Sequence, residues 1–229
     1  MTLTVSIVIP ALNEAPLIEE SLSRLRRDFP GCELVVADGG SDDGTAELAA
    51  SYATVIRAAR GRARQMNAGA RGCGGDVLWF VHADTVVSPD ALAQIRACMA
   101  DPAVAGGGLT LRFDRRSPGL DWLARASTLR ARWLHQVYGD QAMFIRRRVF
   151  DKVGGFPELP IMEDYEMSRL LRRHGRLAVL PATAIASARR FTEHGTWRMI
   201  ALMQYLKVLY ELGVDPAEIR RRYQETRNT

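Results

Sequence analysis

Apolar runs and amphipathic stripes alternate along the first third of the chain. Val5-Ser6-Ile7-Val8-Ile9 reads as a strand stopped by Pro10. The loop Ala11-Leu12-Asn13-Glu14 leads into a helix whose buried stripe is Ile18, Leu22, Leu25 and Phe29, and Pro30-Gly31 ends it. Residues 34–37 predict a second strand, and a helix runs on to about Tyr52. A short third strand at 55–57 is followed by a helix over 60–72 that carries Asn67. Gly74-Gly75 then turns the chain into Val77-Leu78-Trp79-Phe80-Val81, an uninterrupted apolar run of the kind buried on both faces of a sheet. This alternation predicts an α/β fold, a mainly parallel, doubly wound sheet with right-handed crossovers.

The second half is less regular. A helix starts at Ser88-Pro89-Asp90 and ends near residue 100. The glycines 106–108 precede a strand at 109–113, and residues 118–138 predict an amphipathic helix with Leu120, Leu123, Trp133 and Leu134. A strand follows at 142–145, then a glycine-rich loop at 154–157 and a helix opening at Met162-Glu163-Asp164-Tyr165. The strand at 177–180 is expected to end at Pro181. Met199, Leu202, Leu206 and Leu209 stripe a further helix ended by Gly213, and a charged helix begins near Asp215-Pro216. Residues 197–212 fall short of the ~20 apolar positions a membrane span requires, and Arg198, Gln204 and Lys207 interrupt them. That stripe is expected to dock on the core or on a second subunit, which leaves a homodimer open. A helix lying on a membrane surface is the other reading, so peripheral membrane contact also stays open.

Composition narrows the class. The chain has 229 residues, 47% hydrophobic and 25% charged, which suits one large globular domain or two small ones. Cys32, Cys73 and Cys98 are widely spaced without a CxxC pair, which argues against a disulfide framework or a zinc site and fits a reducing, cytoplasmic setting. The opening residues lead straight into a strand, so no signal peptide is expected. The net charge is +5, and the only lysines are Lys152 and Lys207. The arginine runs at 146–148 and 220–222 read as solvated faces rather than a nucleic-acid footprint. The positive balance does suit an anionic ligand or an anionic membrane surface.

Four acidic residues carry candidate chemistry. The central apolar run ends in His82-Ala83-Asp84, and in open α/β sheets ligands sit at the carboxyl ends of strands. Asp84 is either a metal-holding carboxylate facing an anionic ligand or a turn and cap residue. Asp38, at the end of the second strand, either accepts a hydrogen bond from a base N–H or closes an Asx-turn. Glu163 and Asp164 open a helix, so they either complement its dipole, worth ~0.3–1 kcal/mol, or include a general base. Asp42 and Asp43 read as structural helix-start residues.

Taken in order, these pieces resemble the family 2 glycosyltransferases, inverting enzymes with the GT-A fold. The resemblance runs from Val5 to about Phe191. Residues 5–14 are similar to the family's opening strand and loop, residues 35–45 to its second nucleotide-contacting loop, and Gly61 through Asn67-Ala68-Gly69 to its glycine–asparagine helix. His82-Ala83-Asp84 stands where its DxD motif falls, and Glu163-Asp164 where its catalytic acidic pair falls. The resemblance implies nucleotide contacts at Pro10, Leu12, Glu14, Asp38, Gly61, Asn67, His82 and Ala83, with Arg64 taken from the trio Arg60, Arg62 and Arg64. It implies a Mg²⁺ or Mn²⁺ ion on Asp84, with His194 either a further ligand or structural, and a diphosphate clamp at Arg189 and Arg190. Asp164 is then the base, and Glu163 orients it or binds an acceptor hydroxyl.

Two departures stand out. His82 replaces the first Asp of DxD, and Met66 stands where the family commonly has Arg. The QxxRW motif of processive members is missing, which implies addition of a single sugar. The compact pattern also resembles a bacterial subgroup tied to arsenosugar-biosynthesis gene clusters. The expectation is one glycosyltransferase domain over 1–229: a nucleotide-sugar half (1–85), an acceptor-side half (86–195) and C-terminal helices (196–229). Its partners would be a nucleotide-sugar donor and an unidentified acceptor. A nucleotidyltransferase on the same fold, or a non-catalytic nucleotide-sugar-binding protein, are the alternatives. The first would need a glycine-rich basic loop after the first strand, where Ala11-Leu12-Asn13-Glu14 has neither Gly nor Lys.

Overall fold

A computed structural model describes residues 3–227. Its strands are β1 (Val5–Ala11), β2 (Glu33–Asp38), β3 (Thr54–Arg57), β4 (Val77–Phe80), β5 (Val86–Val87), β6 (Val104–Phe113), β7 (Phe144–Arg146) and β8 (Arg176–Ala186). Its helices are α1 (Ala15–Asp28), α2 (Thr45–Ala50), α3 (Arg62–Arg71), α4 (Ala91–Met99), α5 (Pro118–Leu134), α6 (Arg147–Val153), α7 (Glu163–Arg172), α8 (Arg189–His194), α9 (Thr196–Glu211) and α10 (Pro216–Arg227). The strands form one sheet in the order β3-β2-β1-β4-β7-β6-β8-β5.

The predicted parallel half is present: β3, β2, β1 and β4 pair in parallel. The order reverses direction beyond β1, which places the carboxyl ends of β1, β2 and β4 around one crevice. The second half is mixed. β7 runs antiparallel to both β4 and β6, while β6 and β8 pair in parallel. Every residue of β4 is buried, as its apolar run requires, and Trp79 meets Phe29 of the α1 end edge-on at 5.0 Å. Burying such side chains contributes about 1.5–3 kcal/mol each.

Three elements differ from the sequence expectation, each for a local reason. β6 begins at Val104 and takes glycines 106–108 inside the sheet rather than before it. A side chain at Gly107 would stand 2.1 Å from the Ala178 carbonyl oxygen, so the triplet serves close backbone approach. β8 runs through Pro181 instead of stopping there. The register slips between Leu109–Leu180 and Thr110–Thr183, so Pro181 falls in a bulge where no ladder N–H is needed. Thr110 Oγ1 donates to the Leu180 carbonyl and Ala182 N–H donates to Gln94, which satisfies the interrupted ladder.

α5 ends at Leu134, not at residue 138, because His135 turns left-handed at φ 51°. Leu120 and Leu123 are buried as expected, whereas Trp133 and Leu134 are exposed. The arginine run 146–148 is not simply solvated. Arg146 donates to the carbonyls of Val104, Met99 and Asp101, Arg147 to those of Gly75, Ala70 and Cys73, and Arg148 to that of Pro102. Of the α9 stripe, Met199 and Leu206 are buried and Leu202 and Leu209 half-buried. A small separate core forms there from Leu120, Leu123, Ala188, Phe191, Met199 and Ile200. No described helix is long and apolar enough to cross a membrane.

Candidate active site

The loops after β1 and β2 are laced together at the crevice. Asn13, at φ 56°, donates its N–H to Ser41 Oγ and accepts the Asp42 N–H on its side chain. Asp43 accepts the N–H groups of Ala15 and Thr45, which makes it structural as expected and holds its carboxyl below the usual range, the Thr45 hydroxyl being the largest cause. Asp38 is buried and accepts the N–H groups of Gly40 and Ser41, so the Asx-turn exists. Gln65, from α3, donates to the carbonyls of Ala11 and Ala37 and pins the two strand ends side by side. These bonds preorganise the crevice where Pro10, Leu12 and Asp38 stand.

Asp84 is exposed, and its only hydrogen bond among the described residues is a long 3.5 Å contact from Thr85 Oγ1. Glu14 faces it across the crevice: burial, then the Asp84 charge, raise the Glu14 carboxyl, and Arg189 opposes them. Among the described residues no three His, Cys, Asp or Glu side chains gather as a metal site, so His194 and Asp84 do not belong to a closed cluster. A single exposed carboxylate of this kind does fit Mg²⁺ or Mn²⁺, which is commonly held by one or two carboxylates plus substrate phosphates and water.

A second centre lies beside the first. Arg62, Met66, Phe80, His82, Gly139, Met143, Phe156, Glu163 and Asp164 line a small pocket. Met162 enters α7 in the left-handed region at φ 69°, a strained conformation that persists only where the surroundings fix it. It sends the next two side chains different ways. Glu163 is 2% exposed and pairs with Arg62. Asp164 Oδ2 accepts the Gly139 N–H at 2.8 Å, and Oδ1 accepts the Tyr165 N–H at 2.7 Å. A Cβ at Gly139 would lie 3.1 Å from His82 Nε2 and 3.4 Å from Asp164 Oδ2, so the imidazole and the carboxylate flank one point. Burial, then Arg62, push the His82 imidazole down to about 4 against the opposing pull of Asp84 and Asp164, which leaves it neutral at pH 7.

The expected residues fare unequally. Arg64 turns outward to Glu158 at 3.0 Å, and Arg62 is the arginine of the trio that reaches the acidic pair. Both ends of the Asn67 amide are taken by the Phe156 backbone, at 2.8 Å each, so it clamps the 154–157 loop. Gly61 precedes α3 at φ 135°, a conformation suited to glycine. Arg189 acts on Glu14, while Arg190 faces His82 and Asp140 and donates to the Tyr223 hydroxyl. Met66 is buried in the pocket wall.

Residues not singled out from the sequence complete the surroundings of this pocket. A single 3-10 turn at Gly139–Gln141 carries Asp140, whose Oδ1 is buried without a hydrogen-bond partner. Burial raises its carboxyl, with Arg130 opposing and Asp164 adding to the rise. Arg130 stacks over the Tyr138 ring at 3.6 Å, and Lys207 Nζ approaches the same ring at 5.6 Å. Tyr165 meets Tyr138 and Tyr210, and the Tyr210 hydroxyl donates to Glu166. Only a mid-helix lysine in an arginine-rich chain hinted at any of this.

Burial, then Arg130, push the Lys207 amine down to about 8, although Asp140 and Asp164 favour its charge. The folded value lies below the ordinary 10.5, so wild-type stability rises with pH between about 8 and 10.5 and is reduced below that window. Lys207→Met removes that cost. Allowing for its partial exposure, the variant is expected to gain no more than about 1 kcal/mol at pH 7, roughly 2–4 °C in Tm, and to lose the alkaline rise. A variant melting below wild type at pH 7 would show that the ammonium is favourably placed.

Comparison with known proteins settles the family. The profile described as "Glycosyl transferase family 2" matches residues 6–155. The chain belongs to glycosyl transferase family 2. Succinoglycan biosynthesis protein ExoA of Rhizobium meliloti is 50% identical over 50 residues, covering 21% of this chain and 15% of that protein. Validoxylamine A glucosyltransferase of Streptomyces hygroscopicus is 30% identical over 126 residues, covering 49% of this chain and 30% of its own. The family 2 chain therefore matches less than a third of either curated relative's length.

Solved structures share the fold. The mannosyltransferase PcManGT from Pyrobaculum calidifontis, in complex with GDP-Man and Mn²⁺, aligns with a TM-score of 0.64 at 19% identity, over 96% of this chain and 68% of that one. Glucosyl-3-phosphoglycerate synthase from Mycobacterium tuberculosis, with Mn²⁺, UDP and glucosyl-3-phosphoglycerate, gives 0.61 at 19%, over 80% and 72%. TarS 1-349 of S. aureus gives 0.63 at 20%, over 87% and 64%. The GT-A architecture expected for family 2 is the one observed.

Proposed function

We propose that this family 2 protein transfers one sugar from a nucleotide-diphospho-sugar to an acceptor hydroxyl, with inversion and with a divalent metal on Asp84. One observation carries the reading: Asp164 stands against His82, two residues from Asp84, so a base faces the end of the strand where the diphosphate would be held. The nucleoside lies in the crevice between the laced loops, with Asp38 and Glu14 at its base and ribose. Two of the similar solved structures hold GDP-Man or UDP together with Mn²⁺, which supports the metal and donor class. A metal held by Asp84 would, when bound, neutralise charge on the leaving diphosphate.

The chain's own groups do the rest. Arg189 and Arg190 border the crevice on the Glu14 and His82 sides and share the diphosphate charge. The neutral His82 imidazole donates to or accepts from a donor hydroxyl. Asp164 takes the acceptor proton, and the acceptor oxygen attacks the anomeric carbon opposite the diphosphate. Glu163 is held by Arg62 and positions α7 rather than touching the acceptor. Asp140, Tyr138 and Lys207 line the acceptor approach.

A panel of nucleotide sugars with Mn²⁺ tests this reading. The right donor at ~100 times its dissociation constant should add ~2.7 kcal/mol of stability, and slow release of nucleoside diphosphate should follow. Release of pyrophosphate would instead mean a nucleotidyltransferase. Binding without release under any acceptor supply would leave only a nucleotide-sugar-binding protein.

A further inference from the structure

Nine large hydrophobic side chains are exposed among the described residues, and eight of them lie on or at the end of α5 and α9. On α5 they are Trp122, Leu129, Trp133 and Leu134; on α9 and its C-cap they are Trp197, Tyr205, Val208 and Leu212. The spacings 122, 129, 133 and 197, 205, 208, 212 put each set along one side of its helix. Trp122 and Trp197 meet at 6.0 Å between ring centroids, so the two stripes join into one surface. Neither helix lacks a core face: Leu120 and Leu123 of α5 and Met199 and Ile200 of α9 already fill the satellite core beneath. The outer stripe is thus surplus to folding, and a contiguous apolar patch of this kind marks an interaction surface.

The charges around it say what it meets. Arg125 and Arg132 are exposed on α5 between the tryptophans, Arg198 is exposed beside Trp197, and Arg115 and Arg116 are exposed just before α5. Only Asp121 and Glu211 oppose them along these two helices. A second copy docked about a two-fold axis would bring this positive surface against itself, which costs energy. Tryptophan and tyrosine with arginine at the margin is the composition of a surface lying in the headgroup region of a bilayer. We propose that the α5–α9 face docks on an anionic lipid bilayer, with Trp122, Trp133 and Trp197 entering the interface and Arg125 and Arg132 meeting lipid phosphates. α9 would then carry the docking face on one side and Lys207 on the side of the cleft.

Vesicle co-sedimentation of the full chain tests the proposal without any activity. Wild type should bind vesicles of phosphatidylcholine with phosphatidylglycerol, release at high salt, and bind vesicles of phosphatidylcholine alone at least tenfold more weakly, given roughly fivefold per arginine near an anionic surface. Tryptophan emission should shift to the blue on binding, since Trp79 is already buried and the other three are exposed. Trp122→Ser with Trp133→Ser and Trp197→Ser should abolish the shift and the binding. Arg125→Glu with Arg132→Glu should weaken binding more than tenfold while keeping the wild-type melting curve. Wild type that stays in the supernatant with anionic vesicles at low salt overturns the proposal. So does a dimer in sedimentation velocity that the tryptophan variant converts to monomer, because the face would then be an interface between copies.

Discussion

Asp164→Asn is expected to slow sugar transfer roughly 10²–10⁴-fold while leaving donor binding nearly unchanged. The substitution keeps the shape and one acceptor oxygen, so the Gly139 or Tyr165 N–H still finds a partner, and only the basicity is lost. Among the described residues, the laced loops after β1 and β2 and Asp84 do not share a hydrogen bond with this residue. Glu163→Gln should behave differently. Its carboxylate is buried against Arg62, so the amide leaves the guanidinium without its counter-charge. Removing one partner of a buried pair costs about 3–5 kcal/mol, less here because the Arg62 side chain is 44% exposed. Glu163→Gln should therefore lower the melting temperature along with the rate, whereas Asp164→Asn should lower the rate alone. Normal turnover in Asp164→Asn would place the base elsewhere. A stable but inactive Glu163→Gln beside an active Asp164→Asn would reverse the two roles.

The second large effect belongs to Asp84. Asp84→Ala should reduce turnover by about 10³-fold or more, since several kcal/mol of charge stabilisation on the leaving diphosphate disappear. The residue is exposed and makes no short hydrogen bond among the described residues, so the fold and melting temperature should not change. The informative measurement is the nucleoside-diphosphate thermal shift with and without Mn²⁺. In wild type the metal should enlarge the shift; in Asp84→Ala the two curves should coincide. Glu14 provides an internal check, because loss of the neighbouring Asp84 charge lets its raised carboxyl fall back toward the ordinary value. An undiminished metal effect in the variant would move the ion to another ligand.

The strands β1, β2 and β4 were legible because each is a short apolar run with Pro, Gly or Asp at an end, and α1 because its buried stripe is clear. The second half was misread where a local signal had two meanings. Proline usually ends a strand, but Pro181 sits in a bulge. Glycine usually marks a turn, but Gly107 lies mid-strand because the Ala178 carbonyl passes against it. Trp133 and Leu134 fit an amphipathic stripe by composition and face outward all the same. At the site, carboxylates at strand and helix ends could be placed by their position in the chain. Arg62, Asp140, Tyr138 and Lys207 could not, since tertiary packing alone brings them together across as many as 145 positions, from Arg62 to Lys207. Asn67 was legible as a special residue, and the structure shows its amide on the Phe156 backbone.

α3 belongs by sequence to the first half of the chain, and its Gln65 ties down the ends of β1 and β2. Three more of its side chains reach the far half: Arg62 to Glu163, Arg64 to Glu158, and Asn67 to Phe156. This matters to anyone recombining relatives across the two halves. A crossover after β4 would pair α3 from one parent with a 156–164 loop from the other and break three cross-bonds at once. A graft that carries residues 62, 64 and 67 along with the 156–164 segment keeps those bonds, so the exchangeable module is discontinuous in the gene.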